Sequence, residues 1–229
     1  TLQIGLILLA ACPGGPLSNT FVYQGHGRVD LSVSLTAING FLALLTTPLI
    51  ASLGIYIFAG ENTEIKLPLG QTILQVFLIA ILPVVIGMVI NYKFPMFALD
   101  NQNRAKVLSL LMLVIHLSLV VVINFTVIIE SLHELFIPAL LFCVLAMSLG
   151  YFSALLMGLD RDIRFTIGVE VGLQNVVLAI LMANIILKRP EFALFVFTYG
   201  LAALLILFPW IYLHRRRSAL LQSVESESV

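Results

Sequence analysis

Long apolar stretches alternate with short polar connectors along the whole chain. Most of the apolar stretches reach the roughly 20 residues that a helix needs to cross a bilayer. Connectors such as ESLHE (residues 130–134) hold most of the charged side chains. The pattern predicts seven membrane-spanning segments, at residues 1–24, 29–58, 68–91, 105–129, 134–158, 165–187 and 191–213.

The overall composition excludes an ordinary soluble domain. Of the 229 residues, 60% are hydrophobic and only 10% are charged, and the mean hydropathy is +1.09. A soluble fold needs more polar surface than this. We therefore expect an all-α, polytopic integral membrane protein embedded in a lipid bilayer. The formal net charge of zero gives no reason to expect a nucleic-acid partner. Cys12 and Cys143 lie in apolar segments, so we expect small buried side chains there, not a disulfide or metal site.

The distribution of basic residues predicts the orientation in the membrane. If the polar tail at 214–229 is cytoplasmic, nine of the twelve Lys and Arg residues fall on the cytoplasmic side. We expect a bacterial inner (plasma) membrane location, with a tail that frays. The chain begins at Thr1 inside an apolar run, so we also expect it to be N-terminally truncated, with further helices upstream.

The first predicted segment is interrupted by CPGGPLSN at residues 12–19. An external loop between two short segments is one interpretation of this stretch. However, the flanking pieces are about 12 and 8 residues long, which is too short for either to span a bilayer alone. We therefore favour a discontinuous helix, with a break at membrane depth.

Glu170 is the one acidic residue that falls in the middle of a predicted span. A carboxylate at the bilayer centre costs about 2.5–3.5 kcal/mol on insertion scales, so it should face protein, water or an ion. Its surroundings, GVEVGLQN (168–175), combine two glycines with two amides and form a poor helix centre. This predicts a second discontinuous helix. A purely structural acid, hydrogen-bonded between helices, is the alternative.

The two breaks occupy matching places in the order of segments. One long span and a polar stretch follow each of them. Discontinuous helices at corresponding positions of two half-repeats are the best sequence indication of a transporter binding site. If each repeat has five helices with its fourth broken, the second repeat covers roughly 68–213.

Oxygen-bearing side chains accompany both breaks. Ser32 and Thr36 are four residues apart and share one helical face, although hydroxyls in membrane helices commonly bond back to their own backbone. Together with Ser18, Asn19 and Glu170, they make an all-oxygen set with one negative charge, which suits a hard cation such as Na⁺. A second cation nearby would make the site positive and favour an anionic substrate, as would the N-termini of the half-helices.

The motifs CPGG with SN, Ser and Thr four residues apart on the next helix, and EVGLQN together resemble the bile acid:sodium symporter family. The resemblance implies ten helices in two inverted repeats, with the fourth and ninth discontinuous and crossing each other. It also implies a core domain that moves against a panel domain. On this basis the chain divides into the end of the first repeat (1–58, core), panel-like helices (68–129), core helices including the broken one (134–213) and the tail (214–229).

The resemblance further implies two sodium sites and an organic anion as substrate, of the bile acid, steroid sulfate or small carboxylate class. The first site would use Ser18, Asn19, Ser32, Thr36 and Glu170. The second would use Glu170 and Gln174 with the carbonyls of Val171 and Leu173. Substrate would bind at the crossing, with candidate residues Pro13, Gly14, Gly15, Asn19 and Asn175, and the weaker candidate His116, a residue type that is more often structural in a helix.

Two other functions remain open at this point. A proton-coupled transporter would use Glu170 as a proton carrier. An intramembrane enzyme is the third possibility, but the sequence has no HExxH, no paired membrane aspartates and no second acid for Glu170 to work with. We therefore expect a transporter and not an enzyme.

Overall fold

The computed structural model describes residues 2–59, 69–78 and 82–227, with some side chains after residue 58 and all those beyond 217 outside the description. The described part is mostly α-helical, with a π-helix at Met182–Ile186, a 3-10 helix at Pro190–Phe192 and one isolated bridge between two backbone segments. Its helices are α1 (Leu2–Ala11), α2 (Leu17–Gln24), α3 (Val29–Ala59), α4 (Leu69–Val76), α5 (Leu82–Lys93), α6 (Pro95–Leu156), α7 (Arg161–Gly172), α8 (Val176–Leu181) and α9 (Ala193–Glu227).

Three stretches within these helices are long and apolar enough to cross a membrane. Among the described residues they are Val29–Phe58, His133–Leu156 and Pro190–Arg217. Large apolar side chains such as Phe41 and Leu45 on α3 are more than half exposed. So much exposed apolar surface is unfavourable in water, whereas it is favourable in contact with lipid. The fold is therefore that of an all-α membrane protein.

The prediction that a connector at residues 130–134 separates two helices is wrong. The backbone of α6 stays helical from Pro95 to Leu156, through both apolar stretches that the connector was expected to separate. Glu, Ser, Leu and His are all compatible with a helix, and the connector contains neither Gly nor Pro. A polar stretch therefore marks a change of hydropathy, not a break in the backbone.

The polar tail also differs from expectation, because α9 continues as a helix to Glu227 instead of fraying after residue 213. The sequence RRRSALLQS contains good helix formers and no Gly or Pro, so a helix already started in the apolar span can propagate into it.

The broken helices lie at the centre of the packed core. α7 packs against both the second half of α6 and α9, while α1 packs between α3 and α9. Fully buried side chains from these elements, including Leu8, Phe165, Val169 and Tyr199, form one continuous cluster. This packing holds the ends of the half-helices where the breaks can meet.

Candidate functional site

The first predicted break is present between α1 and α2. Helix α1 ends at Ala11, and α2 starts at Leu17. Pro13 and Pro16 lack the N–H group that a continuing helix needs, and their rings clash with the preceding turn. The five residues from Cys12 to Pro16 therefore lie outside both helices, inside an otherwise apolar segment.

The second predicted break is present between α7 and α8. Helix α7 ends at Gly172, and α8 starts at Val176. The Asn175 side-chain oxygen accepts a hydrogen bond from the backbone N–H of Leu178, at 3.0 Å, and so caps the new helix. Asn is unfavourable in the centre of a helix, but Asn175 lies at the start of α8 and stabilises that helix as its N-cap.

The two breaks cross and pair with each other through their backbones. The Gly15 N–H donates to the Leu173 carbonyl at 3.0 Å, and the Asn175 N–H donates to the Pro13 carbonyl at 2.8 Å. These bonds form an antiparallel bridge centred on Gly14 and Gln174. Backbone groups away from water must be satisfied within the protein, and the bridge does this where the helices cannot.

Glycine is required at the closest point of this crossing. A Cβ atom built on Gly14 would lie 2.9 Å from both the Glu170 carbonyl oxygen and its Oε1. A Cβ on Gly15 would lie 3.2 Å from the Cα of Asn175. The first break can therefore approach Glu170 only because it carries no side chain there.

The carboxylate of Glu170 lies buried beside this crossing, with only 2% of the residue exposed. Three hydroxyls contact it: Ser18 Oγ at 2.6 Å and Ser32 Oγ at 2.9 Å from Oε2, and Thr36 Oγ1 at 2.5 Å from Oε1. Asn19 joins the group, because the Ser32 hydroxyl lies 2.7 Å from its Oδ1. The structure thus brings together all five side chains of the first predicted sodium site.

The hydroxyls of Ser32 and Thr36 on α3 do more than bond back to their own helix. Ser34 and Thr46, on the same helix, do so with the carbonyls of Asp30 and Leu42. The Ser32 hydroxyl instead contacts Asn19 and Glu170, and the Thr36 hydroxyl contacts Glu170 and, at 3.4 Å, Asn19 as well as the Ser32 carbonyl. The face predicted from the four-residue spacing is therefore the face turned toward the carboxylate.

This cluster contains more oxygen acceptors than hydrogen-bond donors. Each of its three hydroxyls can donate only one hydrogen bond, yet they make seven oxygen–oxygen contacts of 2.5–3.4 Å, counting those with the carbonyls of Gly15 and Ser32. In the part of the chain that the structure describes, no ion pair involves Glu170. An unneutralised carboxylate surrounded by surplus oxygens is an arrangement that a small cation would satisfy.

The second predicted set lies at the C-terminal end of α7. The Gln174 Nε2 donates to the Val171 carbonyl at 3.0 Å, and the Leu173 carbonyl accepts from Gly15. The Gln174 Oε1 is buried and has no hydrogen-bond partner among the described residues. A carbonyl oxygen can accept two bonds, so the carbonyls of Val171 and Leu173 each keep one acceptor site.

The predicted substrate residues divide into two groups. Pro13, Gly14, Asn19 and Asn175 are half-buried at the crossing, and Gly15 is buried beneath it. His116 belongs to the first half of α6, but its side chain lies outside the described residues.

Comparison with known proteins identifies the family. The model of the sodium bile acid symporter family matches residues 1–131, which is more than half of the chain. The chain belongs to the sodium bile acid symporter family. The resemblance inferred from the CPGG and EVGLQN motifs is therefore confirmed.

Several curated relatives of this symporter-family chain carry names that describe sodium-dependent transport. It is 30% identical over 202 residues to the ileal sodium/bile acid cotransporter of Mus musculus, covering 86% of this chain and 55% of that protein. It is 28% identical over 174 residues to the uncharacterized sodium-dependent transporter YocS of Bacillus subtilis, covering 76% and 52%. The probable sodium/metabolite cotransporter BASS1 of Arabidopsis thaliana is 31% identical over 187 residues, covering 79% and 43%. The chain spans about half the length of these relatives.

Two buried residues that hydrogen-bond to the broken helices of this symporter-family chain, Thr47 and Tyr199, were not predicted from the sequence. The buried Thr47 donates from Oγ1 to the carbonyl of Ala11 at 2.6 Å, and the buried Tyr199 donates from its hydroxyl to the carbonyl of Gly172. Ala11 and Gly172 are the last residues of the two half-helices that end at the crossing. Each break thus has its terminal carbonyl satisfied by a hydroxyl from a neighbouring helix. A polar side chain within an apolar span was the available indication, but it does not identify its partner.

Replacing Tyr199 by Phe should destabilise the protein by about 1–2 kcal/mol, because the buried carbonyl of Gly172 would lose its hydroxyl donor. The melting temperature in detergent measures this effect. Tyr212→Phe is the matched control, since Tyr212 is 63% exposed on the same helix and should tolerate the change. Equal melting temperatures for the two variants would show that the hydrogen bond at the break contributes nothing.

Proposed function

We propose that the protein acts as a sodium-coupled symporter that moves a small organic anion across the membrane by alternating access. The observation that carries this proposal is the Glu170 cluster at the crossing of two discontinuous helices. Membership of a sodium symporter family supports it, as do the names of the relatives.

The first sodium ion would be held by oxygens of Ser18, Asn19, Ser32, Thr36 and Glu170. Hard cations prefer oxygen ligands, and one carboxylate offsets the charge of one ion. The ligands come from α2, α3 and α7, so a bound ion would connect three helices that meet at the crossing. Sodium would therefore favour the conformation in which both breaks are ordered.

A second sodium ion would lie at the C-terminal end of α7. Its ligands would be Glu170, the unpartnered Oε1 of Gln174, and the carbonyls of Val171 and Leu173. The C-terminal end of a helix carries partial negative charge, which favours a cation. Discontinuous helices in transporters use unwound carbonyls in this way.

The substrate would bind beside these ions, against Pro13, Gly14, Gly15, Asn19 and Asn175. Two sodium charges facing one carboxylate would leave the site positive, and α2 begins at Leu17, directly after the first break, so its N-terminal dipole lies nearby. Both features favour an anion. The relatives named for bile acid or metabolite cotransport suggest a bile acid, a steroid sulfate or a small carboxylate as the class.

The transport movement would be a displacement of two groups of helices relative to each other. The core group would contain residues 1–58 and 134–213, and the panel group would contain 68–129, including His116. With the arginines at 215–217 on the cytoplasmic side, the C-terminus would be inside the cell, as the positive-inside rule favours.

Replacement of sodium by choline at fixed pH tests the coupling ion. In proteoliposomes, uptake of a labelled organic anion should fall to background without sodium, and the sodium-dependent rise in melting temperature should disappear. Uptake that is unchanged in choline but abolished by collapsing a pH gradient would overturn sodium coupling in favour of a proton-coupled mechanism. Chemical conversion of the labelled compound would instead indicate an enzyme.

A further inference from the structure

A mostly apolar cavity of about 240 Å³ lies between the second half of α6 and α9, separate from the Glu170 cluster. Its lining includes Val144, Met147 and Tyr151 from α6, with Ile206 and Trp210 from α9. Phe152, which also lines it, is 56% exposed, so the cavity opens on the outside of the helix bundle. Leu149 and Leu205 on the same two helices are also more than half exposed. The opening therefore faces the surface that lipid covers.

The face of α7 that carries Arg164 packs against residues that line this cavity. A Cβ atom built on Gly168 would lie 2.6 Å from the Trp210 ring and 3.3 Å from the Cβ of Tyr151, so this face of α7 contacts two residues that line the cavity. Arg164 precedes Gly168 by four residues and shares its face, one turn closer to the start of α7. The Nε of Arg164 is buried and, among the described residues, has no hydrogen-bond partner.

The same end of the bundle carries further positive charge. Arg215, Arg216 and Arg217 are exposed on α9, about 8–10 Å beyond Trp210 along the helix. Arg161, at the start of α7, donates to the carbonyl of His214, which lies between Trp210 and Arg215 on α9. Aromatic residues such as Trp210 and Tyr151 are enriched where the apolar part of a membrane meets the headgroups.

We propose that this cavity binds an anionic phospholipid from the adjacent leaflet. Part of one acyl chain would occupy the space between Met147, Ile206 and Trp210, and the phosphate would accept a hydrogen bond from Arg164. The charge complementarity selects this occupant, because an apolar cavity alone would accept any lipid. Basic pockets between membrane helices on the cytoplasmic side bind anionic headgroups in this manner.

The single tryptophan of the chain makes the proposal directly measurable. The protein would be reconstituted with acyl-brominated phosphatidylglycerol or phosphatidylcholine at equal mole fractions, and quenching of Trp210 fluorescence would be recorded. Phosphatidylglycerol should quench at about fivefold lower mole fraction, the preference expected for one added arginine contact. The Arg164→Gln variant should lose most of this preference, and what remains would come from the exposed arginines at 215–217.

Two further variants separate the headgroup contact from general effects. Arg189→Gln removes a basic residue outside the cavity and should keep the phosphatidylglycerol preference. Arg164→Lys keeps the charge and should retain most of it, which shows that the site still folds. Equal quenching by both lipids in the unaltered protein, or an undiminished phosphatidylglycerol preference in the Arg164→Gln variant, would overturn the proposal. So would protection of Trp210 from both lipids, which would indicate that another helix or a second copy covers the cavity. None of these outcomes depends on sodium coupling.

Discussion

The Glu170→Gln variant should lose its sodium response completely. In the unaltered protein, sodium at a hundred times its dissociation constant should stabilise the fold by about 2.7 kcal/mol, because the ion binds only the folded state. The substitution removes the one negative charge of the cluster. A charge–charge interaction at about 4 Å contributes on the order of 4 kcal/mol at an effective dielectric constant of 20. The affinity for sodium should therefore fall out of the measurable range, and uptake should fall to background.

The melting temperature with and without sodium, at constant ionic strength, measures this sodium-dependent stabilisation. Without sodium the Glu170→Gln variant should be about as stable as the unaltered protein, because a neutral amide avoids the cost of an unpaired buried carboxylate. Glu134→Gln is the control, since it removes the same charge from an exposed position on α6 and should keep the full sodium response. A normal sodium response in the Glu170→Gln variant would show that Glu170 binds no sodium.

The Gly14→Ala variant should be destabilised by about 1–3 kcal/mol and should lose its sodium response as well. The added methyl would lie 2.9 Å from two oxygens of Glu170, one of them in the backbone. The rigid backbone oxygen cannot swing aside, so either the bridge to Gln174 opens or the carboxylate leaves its hydroxyl partners. Overpacking at a tightly packed position carries a cost of this size.

Two other glycines supply a graded comparison for this measurement. A Cβ on Gly15 would meet its nearest atom at 3.2 Å, so Gly15→Ala should have a smaller effect. A Cβ on Gly40, within α3, meets nothing within 4 Å, so Gly40→Ala should be neutral or slightly stabilising. If Gly14→Ala melts like Gly40→Ala and still responds to sodium, the two breaks do not contact each other as described.

Both proposals about this protein follow from the cost of polar groups inside a membrane. At the crossing, the broken helices leave backbone groups and a carboxylate that lipid cannot satisfy, and the protein supplies hydroxyls from Thr47, Tyr199, Ser32 and Thr36. Beside the cavity, Arg164 on α7 carries the opposite charge, and its buried Nε has no hydrogen-bond partner among the described residues. The first arrangement suits a cation and the second an anion.

The sequence determined the local features of the site. Pro13 and Pro16 cannot continue a helix, and the glycines and amides around Glu170 weaken one, so both breaks were predictable from backbone chemistry alone. The four-residue spacing of Ser32 and Thr36 determined that they share a face. Of the seven spans predicted from hydropathy, those at 29–58, 134–158 and 191–213 match helices of the described part that are long and apolar enough to cross a membrane. The helix end expected at 130–134 was wrong, because polarity and helix propensity are separate properties.

Only the tertiary structure decided which distant groups meet. The bridge between Gly14 and Gln174 joins residues 160 positions apart, and no local pattern specifies such a pairing. The contacts of Thr47 and Tyr199 with the half-helix ends likewise depend on how α3 and α9 pack against the breaks. A sequence determines backbone preferences over a few residues, whereas long-range contacts follow from packing the whole chain so that every buried polar group finds a partner.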